Sequence, residues 1–227
     1  MSIEPTSEDP SNPMMLCRSA FVERLPYALS YAANLEPGNH AVLFYDSLVV
    51  AAEYFCAFIE EGMKREEPTY FTGLEPTRYR KLFEQVGIRV EQLENCGYLR
   101  NLSTQDFQTL QFDQDRPPRN IDNPFQTSID EDPHGVRFVH IHNTHQLRNS
   151  TLQELIEEER RTHKPNTYST TSLCCYDSRT TLENTPYDFL KQLLKEHDHC
   201  LFQGVAMPTS RLLSLLTNAV YPKLTVT

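Results

Sequence analysis

Short, continuous apolar runs recur along this chain, and each is followed by a span with helical spacing. AVLFY (41–45) is the clearest. A run that is apolar at every position suits a strand buried on both faces, and that is the signature of a parallel sheet covered on both sides. The next runs are TYFTG (69–73), YLRNL (98–102), VRFVHIH (136–142), YSTTSLCCY (168–176) and CLFQGVA (200–206). Between them lie helical spans. The first carries Val49, Val50, Tyr54, Phe58 and Ile59 on one stripe. The second opens at Pro76 and closes at Gly87, with Tyr79, Leu82, Phe83 and Val86 between. Shorter spans follow at 90–97, 151–163 and 186–196, and a last helix opens at Pro208. Strand–helix alternation of this kind predicts an α/β chain. The expected architecture is a mostly parallel central sheet with helices on both faces, a three-layer α/β/α sandwich with right-handed crossovers.

A length of 227 residues fits one such domain with a flexible end. Residues 1–13, acidic and proline-rich, read as a disordered tail. Residues 14–37 read as a helical segment broken at Pro26, and 38–220 as the α/β domain. Within it, 103–135 reads as an irregular loop, because DQDRPPRNIDNP and DEDPHG carry no periodicity. The formal charge of -10 repels phosphate backbones, so direct nucleic-acid binding is not expected. No run of about 18 apolar residues is present, so no membrane span is expected. MSIEPTSEDPSNP has neither the basic start nor the apolar run of a signal peptide, and the cytoplasm is the expected compartment. The six cysteines contain no CxxC, and most read as small buried hydrophobes.

In parallel sheets of this kind the ligand crevice lies beyond the carboxyl ends of the strands. That selects Tyr45 and Asp46, Gly73 to Glu75, His142 to His145, and Tyr176 and Asp177. A phosphate loop after the first strand needs glycines and a lysine. FYDSLVVAAEYF has neither, and Asp46 stands where a phosphate would sit. Conventional ATP hydrolysis is therefore not expected, and no cofactor is assigned. Tyr45, Asp46, His142, Tyr176 and Asp177 are the candidate ligand-binding residues, since tyrosines offer apolar walls with hydroxyl handles. The competing reading packs the tyrosines on helices and uses the aspartates as caps.

His140, His142 and His145 form HxHxxH. On a strand the first two share a face, which makes these three the candidates for a metal reading; no carboxylate in that stretch completes the set, and no metal is assigned. Cys175 reaches His142 only if their strands are neighbours, and no catalytic residue is assigned. The EEER run at 157–160 reads as a solvated helix face.

From His40 to Leu102, HAVLFYDSLVVAAEYFCAFIEEGMKREEPTYFTGLEPTRYRKLFEQVGIRVEQLENCGYLRNL resembles the opening half of the MEDS sensory domain. His40, Tyr45 and Gly62 stand at the family's motif positions. SLCCYDSR resembles its closing strand through Leu173, Cys174, Tyr176 and Asp177, and KEHDHCLFQG resembles its last helix end through His197. The resemblance covers roughly residues 38–206. It departs at 103–135 and at HIHNTHQL, and the DNA-binding domain of some relatives is not seen. The resemblance implies a RecA/KaiC-like core without its phosphate loop, with His142 about where a metal-binding aspartate would be.

What the resemblance implies for function is sensing of a small organic ligand. The signal would pass to a regulatory protein partner in a transcription or kinase pathway, without enzymatic activity and with a homodimer as the expected assembly. Two readings stay beside it. One is a divergent nucleotide-binding KaiC-like protein. The other is a metal- or thiol-dependent enzyme built on the histidines and Cys175.

Overall fold

A computed structural model describes residues 27–103, 106, 135–142, 152–162, 170–184, 186–202 and 204–220. The strands are β1 (His40–Tyr45), β2 (Thr69–Thr72), β3 (Leu99–Asn101), β4 (Val136–Ile141), β5 (Thr170–Asp177), β6 (His199–Phe202) and β7 (Val205–Pro208). The helices are α1 (Tyr27–Ala33), α2 (Leu48–Lys64), α3 (Pro76–Gln85), α4 (Val90–Asn95), α5 (Leu152–Thr162), α6 (Ser178–Asn184), α7 (Tyr187–Lys195) and α8 (Thr209–Val220). One seven-stranded sheet runs β3-β2-β4-β5-β1-β6-β7. Every neighbouring pair is parallel except β6–β7. The α/β architecture with a mostly parallel central sheet is as the alternation predicts.

The central strands are buried at nearly every position, as their continuous apolar runs require. Their two faces feed two cores. Ala41, Leu43 and Tyr45 of β1 and Leu173 and Cys175 of β5 pack under α1 to α4. Val42, Phe44, Cys174 and Tyr176 pack under α5, α7 and α8. The first core includes a ring cluster in which Phe71 lies 5.2 Å from both Phe55 and Tyr79 and 5.4 Å from Phe83. Each such ring contributes about 1.5–3 kcal/mol through burial.

Three expectations are corrected. Residues 200–206 are not one strand: β6 turns back as β7 through Gly204, whose φ of +77° suits glycine at the reversal. Val49 and Val50 are about half exposed in the first turn of α2, off the face through which Leu48 and Ala51 pack on the core. A helix not expected from the sequence, α6, follows β5 directly. Of the cysteines, Cys56, Cys174, Cys175 and Cys200 are buried and Cys96 is exposed, while Cys17 lies outside the described residues. The 1–13 tail, most of the 14–37 segment and nearly all of 103–135 also lie outside them.

Arg137 ties the α2 face together. It is fully buried on β4. Its Nε donates to Glu67 Oε2 at 2.6 Å, and its Nη1 donates to the carbonyls of Ala33 and Phe58 at 3.2 Å each. The guanidinium also stacks over the Phe58 ring at 4.5 Å. Gly62 makes this approach possible, because a Cβ there would sit 2.9 Å from Arg137 Cδ and 2.8 Å from the Glu67 carbonyl oxygen. Removing one partner of a buried ion pair strands the other charge. Arg137→Met is therefore expected to lower unfolding free energy by about 3–5 kcal/mol in urea titrations, and Glu67→Gln in the same chain to restore part of it. A loss within about 0.5 kcal/mol, the range of an ordinary surface change, would contradict the role given to this pair.

Candidate functional site

On the α5 face the central strands carry a cluster of polar side chains beside the apolar Val42 and Phe44. Side chains alternate along a strand, so His40 of β1, His140 of β4, His142 just past its end, and Cys174 and Tyr176 of β5 share this face. The order β4-β5-β1 brings them side by side from positions far apart in the chain. Glu159 of α5 and His197, in the turn after α7, close over them. His40, His140, His142, Glu159, Cys174, Tyr176 and His197 are all buried.

Glu159 is the centre. Tyr176 donates its hydroxyl to Oε1. His142 Nε2 lies 2.9 Å from Oε1, and the Nε2 atoms of His40 and His197 each lie 3.4 Å from Oε2. His40 Nε2 is also 3.0 Å from Cys174 Sγ. The rings meet in two pairs, one stacked and one tilted. His142 lies parallel on Tyr176, with centroids 4.2 Å apart and planes 6° apart, and His40 lies 4.1 Å from His197. His40 Nδ1 donates to the Glu196 carbonyl at 3.0 Å, and His197 Nδ1 to the Leu193 carbonyl at 2.8 Å. A carbonyl only accepts, so both Nδ1 atoms carry hydrogen and both Nε2 atoms face inward.

Burial alone would push the Glu159 carboxyl up. The surrounding histidines, His197 first, outweigh it and hold the group well below the usual carboxylate range. Burial, then the charge of neighbouring His142, holds His140 well below an ordinary histidine. Burial, then His197, lowers His40 as well, against the pull of Glu159. Burial and the Glu159 charge push the Cys174 thiol and the Tyr176 hydroxyl well up.

The sequence-derived ligand residues fall in two groups. Tyr45 and Tyr176 are on opposite sheet faces, with Tyr45 packed in the α2 core. At the carboxyl edge, Asp46 accepts from the Ser178 hydroxyl, and Asp177 accepts the Thr180 backbone N–H at 2.8 Å, capping α6. Ser47, not Asp46, caps α2 through the Val50 N–H at 3.3 Å. His142 and Tyr176 meet directly on the α5 face, and His140 sits beside His142 at 4.0 Å. His145 lies outside the described residues. Cys175 and His142 are on neighbouring strands, but the thiol belongs to the α2 core and the imidazole to the α5 face, so they do not meet.

Glu159 was missed because it is one of three adjacent glutamates read as a solvated face. Glu157 and Arg160 are exposed as expected, but Glu159 is 1% exposed. It follows Leu155 by four residues and Ile156 by three, so it continues their buried stripe. That register was the available signal.

The description of the MEDS family (methanogen/methylotroph, DcmR sensory domain) matches residues 39–198. The chain belongs to the MEDS family. Among solved structures this MEDS chain is similar to the KaiC-like protein PH0186 from the hyperthermophilic archaeon Pyrococcus horikoshii OT3. Identity is 14% and the TM-score 0.49, over 73% of this chain and 71% of that one. It is also similar to PH0250 from the same organism, at 8% identity and a TM-score of 0.47, over 80% of this chain and 90% of that one. No curated protein matches it. Among the described residues no helix is long and apolar enough to cross a membrane. Of the positions through which the chain resembles MEDS domains, His40, Cys174, Tyr176 and His197 meet in the buried cluster, and Gly62 serves Arg137 on the other face.

The cluster sets a pH dependence. Groups whose folded pKa is depressed stabilise the fold above their unfolded values and lose that contribution as pH falls toward the folded ones. For His40 and His140 the loss begins below 6.5, and for Glu159 below 4.5. Urea unfolding is therefore expected to show stability falling steadily from near pH 6.5 downward, with a shallower fall between pH 6.5 and 5 in His140→Asn. Equal slopes in the two proteins would contradict a neutral, buried His140.

Proposed function

We propose that this MEDS domain is a non-enzymatic sensor in a regulatory pathway. It takes a small organic ligand at the carboxyl edge of β1, β4 and β5, near Tyr45, Asp46, His142, Tyr176 and Asp177. It passes occupancy through α5 to a regulatory protein partner. The observation that carries this reading is the continuous path from His142, stacked on Tyr176, through the Tyr176 hydroxyl to Glu159 of α5. A ligand that displaces the His142 ring disturbs the carboxylate that anchors α5. The opposite side of that helix exposes Gln153, Glu154, Glu157 and Arg160, a polar surface for a partner to read. Family membership supports sensing as the role. The engagement of Asp46 with Ser178, in a turn that has no lysine or glycine, speaks against a bound triphosphate.

The test is a thermal-shift screen of the full chain against one-carbon and short-chain organic molecules, with ATP in parallel. Saturable stabilisation by an organic ligand is expected, together with a change in hydrogen exchange across α5. Tyr176→Phe keeps the ring stack but removes the hydroxyl from Glu159. It is expected to leave binding in place and abolish the α5 response. An unchanged α5 response in Tyr176→Phe would remove the path, and stabilisation by ATP alone would replace the sensor reading with nucleotide binding.

A further inference from the structure

We propose that the buried cluster holds a divalent transition metal, zinc by its donor chemistry, through His40 Nε2, His197 Nε2, the Glu159 carboxylate and Cys174 Sγ. The proposal goes beyond the sensor reading and stands without it.

The four donor atoms lie within 4.8 Å of one another. His40 Nε2 and His197 Nε2 are each 3.4 Å from Glu159 Oε2, and His40 Nε2 is 3.0 Å from Cys174 Sγ. A tetrahedral zinc site with ligands at about 2.0–2.3 Å has edges of about 3.3–3.6 Å, so the cluster already has nearly the size of a coordination shell. Two nitrogens, one carboxylate and one thiolate form a set that suits zinc and does not suit magnesium or calcium.

The protons point the same way. The carbonyls of Glu196 and Leu193 fix hydrogen on the Nδ1 atoms of His40 and His197. In the neutral rings both Nε2 lone pairs then face inward, as in metal-bound histidines whose other nitrogen is held by a backbone carbonyl. His197 Nε2 is 3.4 Å from Glu159 Oε2. A proton on that nitrogen holds the pair together in the metal-free cluster, and a metal cation between them replaces it with two bonds.

The charges balance in the metal-bound cluster. Coordination takes the proton from Cys174 and releases it to solvent. One thiolate and one carboxylate then neutralise the dication, and two neutral imidazoles complete the shell. The result is a core with no net charge in place of a buried carboxylate held by surrounding histidines. Every ligand is buried, so the metal enters as the chain folds and leaves only when it unfolds.

The second histidine pair offers a separate set, His140, His142 and Cys174, which shares the sulfur. It supplies three donors and no carboxylate, so its own shell is one ligand short and carries a net positive charge. The first set is therefore preferred.

The experiment is elemental analysis of the full chain purified from zinc-supplemented culture, beside cobalt spectra of the same chain refolded with Co²⁺. About one zinc per chain is expected, resistant to chelator until urea is added. The cobalt form is expected to show a sulfur-to-metal charge-transfer band and the strong d–d bands of tetrahedral geometry. Cys174→Ala should remove the sulfur band and His197→Gln should lower metal content severalfold, whereas His140→Gln should leave both unchanged. The spectra of the unaltered chain decide the matter if a variant does not fold. Folded protein with less than about 0.1 metal per chain and no cobalt bands would overturn the proposal in favour of a proton held between His197 and Glu159. Metal lost in His140→Gln but kept in His197→Gln would overturn it in favour of the second set. None of these readouts depends on an organic ligand, so failure of the sensor reading leaves them intact.

Discussion

A carboxylate buried beneath the middle of a parallel sheet is the constraint to which the α5 face answers. Taking such a group out of water costs several kcal/mol unless the interior meets its charge. The chain meets it from three strands and one helix end at once: Tyr176 and His142 on one oxygen, His40 and His197 beside the other. The position of α5 follows, because Glu159 keeps those partners only if the helix lies across β1, β4 and β5 in one register. Leu155 and Ile156 fill the apolar part of the same contact but do not specify direction.

The opposite face has a buried charge of the other sign, and β4 supplies the link. Its odd residue Arg137 points toward α2 and its even residue His140 toward α5, so one short strand serves both layers. The two sites differ in kind. Arg137 spends its donors on a carboxylate and backbone carbonyls, and its geometry admits one state. The α5 face gathers imidazoles, a thiol and a phenol around one carboxylate. Such a set can be held by protons or by a metal, and the choice changes the charge of the core without changing the fold.

What was legible in the sequence follows from what is local. Strands buried on both faces announce themselves as continuous apolar runs, and AVLFY and VRFVHIH are found as β1 and β4. The shared face of His140 and His142 follows from strand geometry alone. Two local signals were misread. The run CLFQGVA hides a reversal at Gly204 because its apolar residues continue through both arms. Glu159 disappears among its charged neighbours unless the stripe from Leu155 and Ile156 is extended one turn. Long-range pairing was not legible at all. His40 and Cys174 are 134 residues apart, and only the placement of β1 beside β5 brings them to 3.0 Å. The likeness to MEDS domains supplied His40, Cys174 and His197 as separate positions, and the fold turns them into one site.

Core packing alone does not ask for such a cluster. A parallel sheet covered by helices is stable with leucine and valine on both faces, and replacing buried ionic groups with apolar residues of similar volume is often neutral or stabilising by about 1–4 kcal/mol. Here the polar groups stand at the centre of the sheet, fully enclosed, where desolvation is largest. They are arranged with two imidazoles pinned through Nδ1 and their other nitrogens turned toward the same carboxylate oxygen. Carbonyl pinning orients a ring for what its second nitrogen must do. On the metal proposal the cluster is a chemical site for which the core gives up stability, and α5 is the element whose hold on the sheet follows the state of that site.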